Sequence, residues 1–134
     1  VYGHLKAAVE ELASALEARG QKVSVFDLTR DDMAEAVEDA FRYDRLVLAS
    51  ITYQGEIFPF MSTFIHTLAE HAYQNRTVAL VEAGSWAPAA AKVMTKELEG
   101  MKDITLTQNK VTVLGSLGDA SRAQIEALAD ELSK

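Results

Sequence analysis

The chain has 134 residues, 49% apolar and 25% charged, which suits one globular domain with a buried core. Its net charge of −7 argues against a nucleic-acid partner, which needs clustered cations, and Lys92, Lys96 and Lys102 are too dispersed to make such a cluster. The lack of cysteine excludes disulfides and thiolate chemistry and fits a reducing cytoplasm, and no apolar run approaches the roughly 20 residues that span a bilayer. From Val1-Tyr2-Gly3-His4 the chain passes at once into an apolar stripe, Leu5, Ala8, Val9, Leu12, Ala15 and Leu16. This spacing predicts a helix closed by Gly20 as its C-cap. Lys22 to Leu28 is rich in β-branched and aromatic residues and predicts a strand, followed by Thr29 and Asp31 as caps for a helix carrying Met33, Val37, Ala40 and Phe41. Arg45 to Ala49 is nearly all apolar, as a parallel strand covered on both faces is. A polar loop from Ser50 leads to Pro59, which opens a helix reaching to about Tyr73, with Met61, Phe64, Ile65 and Leu68 on one face. Gln74-Asn75 turns the chain into a strand at Thr77 to Val81, and the loop from Glu82 to Pro88 precedes a helix with Ala91, Met94 and Leu98 inward. Asp103 to Leu114 alternates as a last strand interrupted around Gln108-Asn109. Gly115-Ser116-Leu117-Gly118 is a further loop, and Asp119 or Ser121 caps a final helix striped by Ile125, Leu128 and Leu132.

Helices and strands therefore alternate along residues 1–134 as a single domain, without repeats or an internal linker. Right-handed crossovers turn such an alternation into a three-layer αβα sandwich around a parallel sheet. One element breaks the pattern: the opening helix has no strand before it. In the common 2-1-3-4-5 strand order the absent strand is the central one, so the expectation is that residues upstream of Val1 supply it. Without it, about two strand spacings of roughly 4.8 Å each would lie unpaired across the core.

In an open α/β sheet, ligands collect outside the carboxyl ends of the strands. The loop Ser50-Ile51-Thr52-Tyr53-Gln54-Gly55 sits at such an end and offers hydroxyls, an amide, a flat aromatic ring and a flexible glycine, a set suited to a planar polar ligand. The loop Glu82-Ala83-Gly84-Ser85-Trp86-Ala87-Pro88 leaves the same rim. Gly3 just ahead of a helix start is the arrangement an anion favours, since exposed N–H groups and the helix dipole both face it, although that signal alone is weak.

Three segments together resemble the flavodoxin-like domain of the flavodiiron proteins, the A-type flavoproteins. Tyr2-Gly3-His4-Leu5-Lys6 is similar to the tail of that family's phosphate loop, Ser-x-Tyr-Gly-Asn-Thr-Glu. Ser50-Ile51-Thr52-Tyr53-Gln54-Gly55-Glu56-Ile57-Phe58-Pro59-Phe60-Met61 is similar to Ser-Pro-Thr-Tyr-Asn-x-x-x-Phe-Pro-x-Met, and Glu82 to Pro88 to Glu-Asn-Gly-Ser/Thr-Trp-Ala-Pro. The second segment is the most specific. His4 and Leu5 stand where the family has Asn and a phosphate-binding Thr, Ile51 replaces Pro, and Ala83 replaces Asn. The resemblance implies a non-covalent FMN at the strand carboxyl ends, contacted by Tyr2, Gly3, His4, Leu5, Ser50, Thr52, Tyr53, Gln54, Gly55, Ala83, Gly84, Ser85 and Trp86. It also implies electron transfer to a redox partner or to the di-iron domain of a longer parent protein that reduces oxygen or nitric oxide, with head-to-tail homodimers bringing flavin and irons together. His4, His66 and His71 make no His-x-Glu-x-Asp run, so this stretch of chain is not expected to hold the di-iron pair.

Each candidate also has a structural reading. Tyr53 and Trp86 could stack on an isoalloxazine ring or be ordinary half-buried rim aromatics. Gly55 could let the backbone beside the flavin turn over, or simply make the turn. Ser50, Thr52 and Ser85 could bond ribityl or phosphate oxygens or cap the following helices. His4 could take the donor role of the missing Asn or Thr, whereas Lys6 is most simply a solvated helix charge. His66 and Glu70 lie one helical turn apart, but two ligands do not make a metal site, and the acids of the helix faces pair into no cleft. No side chain need act as acid, base or nucleophile. The rival function is a flavodoxin-like binding module that has lost its FMN, favoured by Leu5 and Ala83. A phosphoacceptor receiver would need a cluster of acids at strand ends that the sequence does not display.

Overall fold

The computed structural model describes residues 2–28, 30–51, 59–84, 90–114 and 118–133. Its elements in chain order are α1 Tyr2–Ala18, α2 Met33–Arg42, β1 Arg45–Ile51, α3 Pro59–Glu70, β2 Arg76–Gly84, α4 Ala90–Leu98, β3 Ile104–Leu106, β4 Val111–Leu114 and α5 Asp119–Leu132. All strand pairings are parallel: β2 is flanked by β1 on one side and by β3 and then β4 on the other. This is the expected αβα sandwich, and the expected last strand is interrupted where its sequence turns polar.

Period-two alternation along β2 decides which layer each residue faces. Ala79, Val81 and Ala83 point into one core with Leu5, Ala8, Leu12 and Leu16 of α1 and Ile125, Leu128 and Leu132 of α5. Val78 and Leu80 point into the other, with Ala36 and Ala40 of α2, Phe64, Ile65 and Leu68 of α3, and Met94 and Leu98 of α4. Two apolar faces on one strand explain why its sequence reads as a continuous apolar run rather than an alternating one.

The helix ends follow local chemistry. Gly20 takes a left-handed φ of +82°, so that its N–H reaches Glu17 O and the N–H of Gln21 reaches Leu16 O, each at 3.0 Å, ending α1 as predicted. The cap of α2 is Asp32, whose Oδ1 accepts the N–H of Ala34 at 2.9 Å. The expected cap Asp31 instead turns back to accept the N–H of Asp27 at 2.6 Å, and Thr29 lies outside the described residues. α5 is capped by neither predicted residue: Gly118 holds the N-cap position, Asp119 is the first helical residue, and the Ser121 hydroxyl donates inward to Thr112 O at 3.3 Å. α3 stops at Glu70, so Tyr73 is not helical. It plugs the core at 1% exposure with its ring edge-on to Phe41 at 5.0 Å.

The strand expected at Lys22–Leu28 does not form among the described residues, because a strand is defined by its ladder and this segment joins no ladder there. It lies across a cavity from residues 45–49 of β1, and Val25 within it is 57% exposed.

Candidate functional site

Parallel pairing sends the carboxyl ends of β1, β2 and β4 to one rim. Ile51 is opposite Ala83, Ala83 is opposite Val113 and Gly84 is opposite Leu114, so the chain leaves three adjacent strands roughly 4.8 Å apart. The start of α1 lies on the same rim, since Leu5 and Lys6 line a hollow of about 160 Å³ together with Ser50, Ile51, Phe60 and Met61. The first turns of α1, α3 and α4 contain no acidic residue. In a chain of net charge −7, that leaves the positive ends of these helix dipoles without a local carboxylate in their own first turns.

The predicted site residues divide into two groups. Thr52, Tyr53, Gln54, Gly55, Ser85 and Trp86 lie outside the described residues, as do 115–117 of the last loop. Of the others, Tyr2, Gly3, His4 and Leu5 form the first turn of α1, with His4 exposed and Leu5 buried in the α1/α5 core at 6% exposure. The Leu5 side chain therefore serves packing, and what this position can offer an anion is its backbone N–H. Ser50 is buried at 2% exposure with its hydroxyl donating to Ile51 O at 3.2 Å, a weak local bond that a better acceptor could replace. Ala83 is buried inside the sheet, and Gly84 is the last residue of β2. Elsewhere, His66 meets Glu97 across the α3/α4 contact at 3.7 Å, and no group of three metal-ligating side chains exists among the described residues.

The residue that sequence reasoning passed over is Glu82. It is buried at 3% exposure on the face of β2 toward α4. Its Oε1 accepts the N–H of Ala91 in the first turn of α4 at 3.1 Å, its Oε2 accepts the Thr112 hydroxyl of β4 at 2.9 Å, and the Lys110 ammonium lies 3.2 Å from Oε2. One carboxylate thus joins β2, β4 and the start of α4 immediately below the rim, and meets the positive end of the α4 dipole. The available signal was a single acid ending the apolar run Val78 to Val81, because a charge in a strand covered on both faces needs partners.

The fold that these elements define is flavodoxin-like. Solved structures with the same arrangement include the rubredoxin oxygen:oxidoreductase of the anaerobe Desulfovibrio gigas, with a TM-score of 0.87 and 17% identity over 99% of this chain and 33% of that one. A flavodoxin from the domain Archaea superposes with a TM-score of 0.84 and 16% identity over 99% of this chain and 90% of its own. A variant of the flavo di-iron protein of Thermotoga maritima gives 0.78 with 24% identity, over 98% of this chain and 32% of that one. The chain thus spans about a third of that oxidoreductase and of the flavo di-iron protein. No protein-family model matches the sequence, and no curated protein matches it either.

Proposed function

We propose that this domain binds FMN at the rim and carries electrons, as the flavodoxin-like part of a flavodiiron-type oxygen or nitric oxide reductase. The observation that carries the reading is convergence: the loop of Tyr53, the loop of Trp86 and the first turn of α1 are all anchored on adjacent elements of one sheet edge. When bound, FMN supplies the redox chemistry of its ring system. The chain's own part is to hold it. Backbone N–H groups of the α1 first turn would hold the phosphate, with Lys6 at the edge of the hollow adding positive charge. Ser50 and Thr52 would offer hydroxyls to the ribityl chain, and Tyr53 and Trp86 would supply flat rings that shield the flavin from water. The chain's net charge of −7 would disfavour adding electrons and so lower the flavin's potential. A redox protein, or a di-iron domain in a longer polypeptide or a homodimer, is the electron partner.

Titration of FMN with the protein tests this directly. Saturable quenching of flavin fluorescence at one flavin per chain is expected, and a flat titration refutes the proposal. A second reading, a flavodoxin-like binding module without flavin, is favoured by Leu5, which puts a buried hydrocarbon where the phosphate loop has a hydroxyl. Freshly purified protein separates the two by colour, yellow for the first and colourless for the second.

A further inference from the structure

Glu82 places a carboxylate on a face of β2 whose other residues, Val78 and Leu80, are hydrocarbon packed against α3 and α4. An ion pair buried in such a place contributes little net stability over packed apolar side chains, because desolvation offsets the attraction. The hydrogen bonds from Ala91 and Thr112 make the charge tolerable but do not require it to be a charge. Its position does suggest a use. Glu82 pairs with Thr112 in the β2/β4 register, two residues before Gly84 ends the strand, or roughly 7 Å below the rim. Lys110 precedes β4, so its backbone lies farther from the rim than Thr112, and its half-exposed ammonium reaches Glu82 Oε2 at 3.2 Å. The negative member of the pair is therefore the one nearer the rim, and it is buried where salt screens it little, while the positive member is farther off and wetted. Through the Ala91 N–H, Glu82 also offsets the positive end of the α4 dipole beside that rim.

We propose that Glu82 and Lys110 set the redox preference of a flavin held at this rim, Glu82 disfavouring the reduced form and Lys110 moderating that effect. The pair can act on a flavin only where the rim holds one, so the proposal rests on the FMN reading. Two-electron reduction with uptake of one proton leaves the flavin one charge more negative, and that added charge is what the pair senses. A unit charge acting on another about 10 Å away, at an effective dielectric constant of about 20, shifts an equilibrium on the order of tenfold. Neither residue touches the reacting atoms: both act through space, and the lysine acts less because it is wetted and farther away.

The test takes the 134-residue chain in mildly alkaline buffer and measures two quantities, its affinity for oxidised FMN by fluorescence quenching and the midpoint potential of the bound flavin by anaerobic titration with dithionite against a reference dye. Together they give the ratio of affinities for reduced and oxidised FMN. A disturbed fold weakens both forms alike and leaves this ratio in place, whereas a charge moves it. Glu82→Gln is expected to raise the ratio about tenfold and Lys110→Met to lower it about threefold, opposite signs that lost packing does not produce. Lys110→Arg, which keeps the charge, and Thr112→Val, which removes a hydroxyl but no charge, are expected to stay within about twofold of the native chain. Equal ratios in the native chain, Glu82→Gln and Lys110→Met overturn the proposal while the FMN reading stands, and so do shifts of the same sign in the two variants. A native chain that binds no FMN overturns that reading and the proposal with it.

Discussion

Removing the Glu82 carboxylate isolates one buried charged group that three elements share. In Glu82→Ala the N–H of Ala91 and the hydroxyl of Thr112 both lose their acceptor, and leaving a buried donor unsatisfied costs about 1–3 kcal/mol. Lys110 is half exposed and rehydrates, so its ion pair adds little. The expected loss is about 3 kcal/mol, which at this chain length lowers the melting temperature by roughly 10 °C. Glu82→Gln retains one carbonyl acceptor but turns an NH2 group toward a second donor, so it should lose about half as much. Lys110→Met should change stability by less than about 1 kcal/mol. Urea unfolding followed by far-ultraviolet circular dichroism gives all three midpoints. A Glu82→Ala protein within about 0.5 kcal/mol of the native chain would refute the claim that this carboxylate joins β2, β4 and α4.

Other outcomes follow from equally specific contacts. Burial pushes the Tyr73 hydroxyl up to about 12, against the opposing pull of Arg76. The neutral form is therefore favoured in the folded chain: this contribution is intact below the usual tyrosine value near 10 and is lost as pH rises from about 10 to 12. The difference in unfolding free energy between the native chain and Tyr73→Phe should accordingly shift across that window and stay flat below it. Arg76 donates to the carbonyls of Phe41, Tyr43 and Gln74 and lies 5.0 Å from the Tyr73 ring, so Arg76→Lys, which cannot span three acceptors, should destabilise by about 2 kcal/mol in thermal unfolding. Gly20→Ala meets no neighbouring atom but must keep a φ of +82°, and a loss of about 1 kcal/mol in urea unfolding is expected from backbone conformation alone.

Apolar spacing was the legible part of this sequence. Leu5, Ala8 and Leu12, the pair Phe64 and Ile65, and Ile125 with Leu128 and Leu132 all point inward as their periods require. The parallel order of the sheet followed from the alternation of helices and strands. What the sequence could not convey was partnership. Lys22–Leu28 has the composition of a strand, but composition does not supply a neighbour. Thr29, Asp31, Asp119 and Ser121 are all good cap residues, and which one caps depends on where the helix axis begins, so Asp32 and Gly118 hold those positions instead. At the candidate site, the resemblance drew the eye to loop residues, whereas Glu82 beneath them becomes notable only when Ala91, Lys110 and Thr112 are seen around it.

The break between β3 and β4 has a consequence for how this architecture can change. Three steps along β2, from Val78 to Val81, are matched by five on the neighbouring chain, from Leu106 to Val111. The surplus is even, so Val111 and Val113 still face α1 and α5, while the Glu131 carboxylate accepts the backbone N–H groups of Gln108 and Asn109 and steadies the excursion. Lengthening this detour by pairs of residues preserves the orientation of everything downstream, whereas adding one turns Val111 and Val113 toward the wrong layer. Growth of the polypeptide at this point is thus quantised in twos, which makes the 107–110 stretch a natural place for insertions to accumulate without disturbing the three strand ends above it.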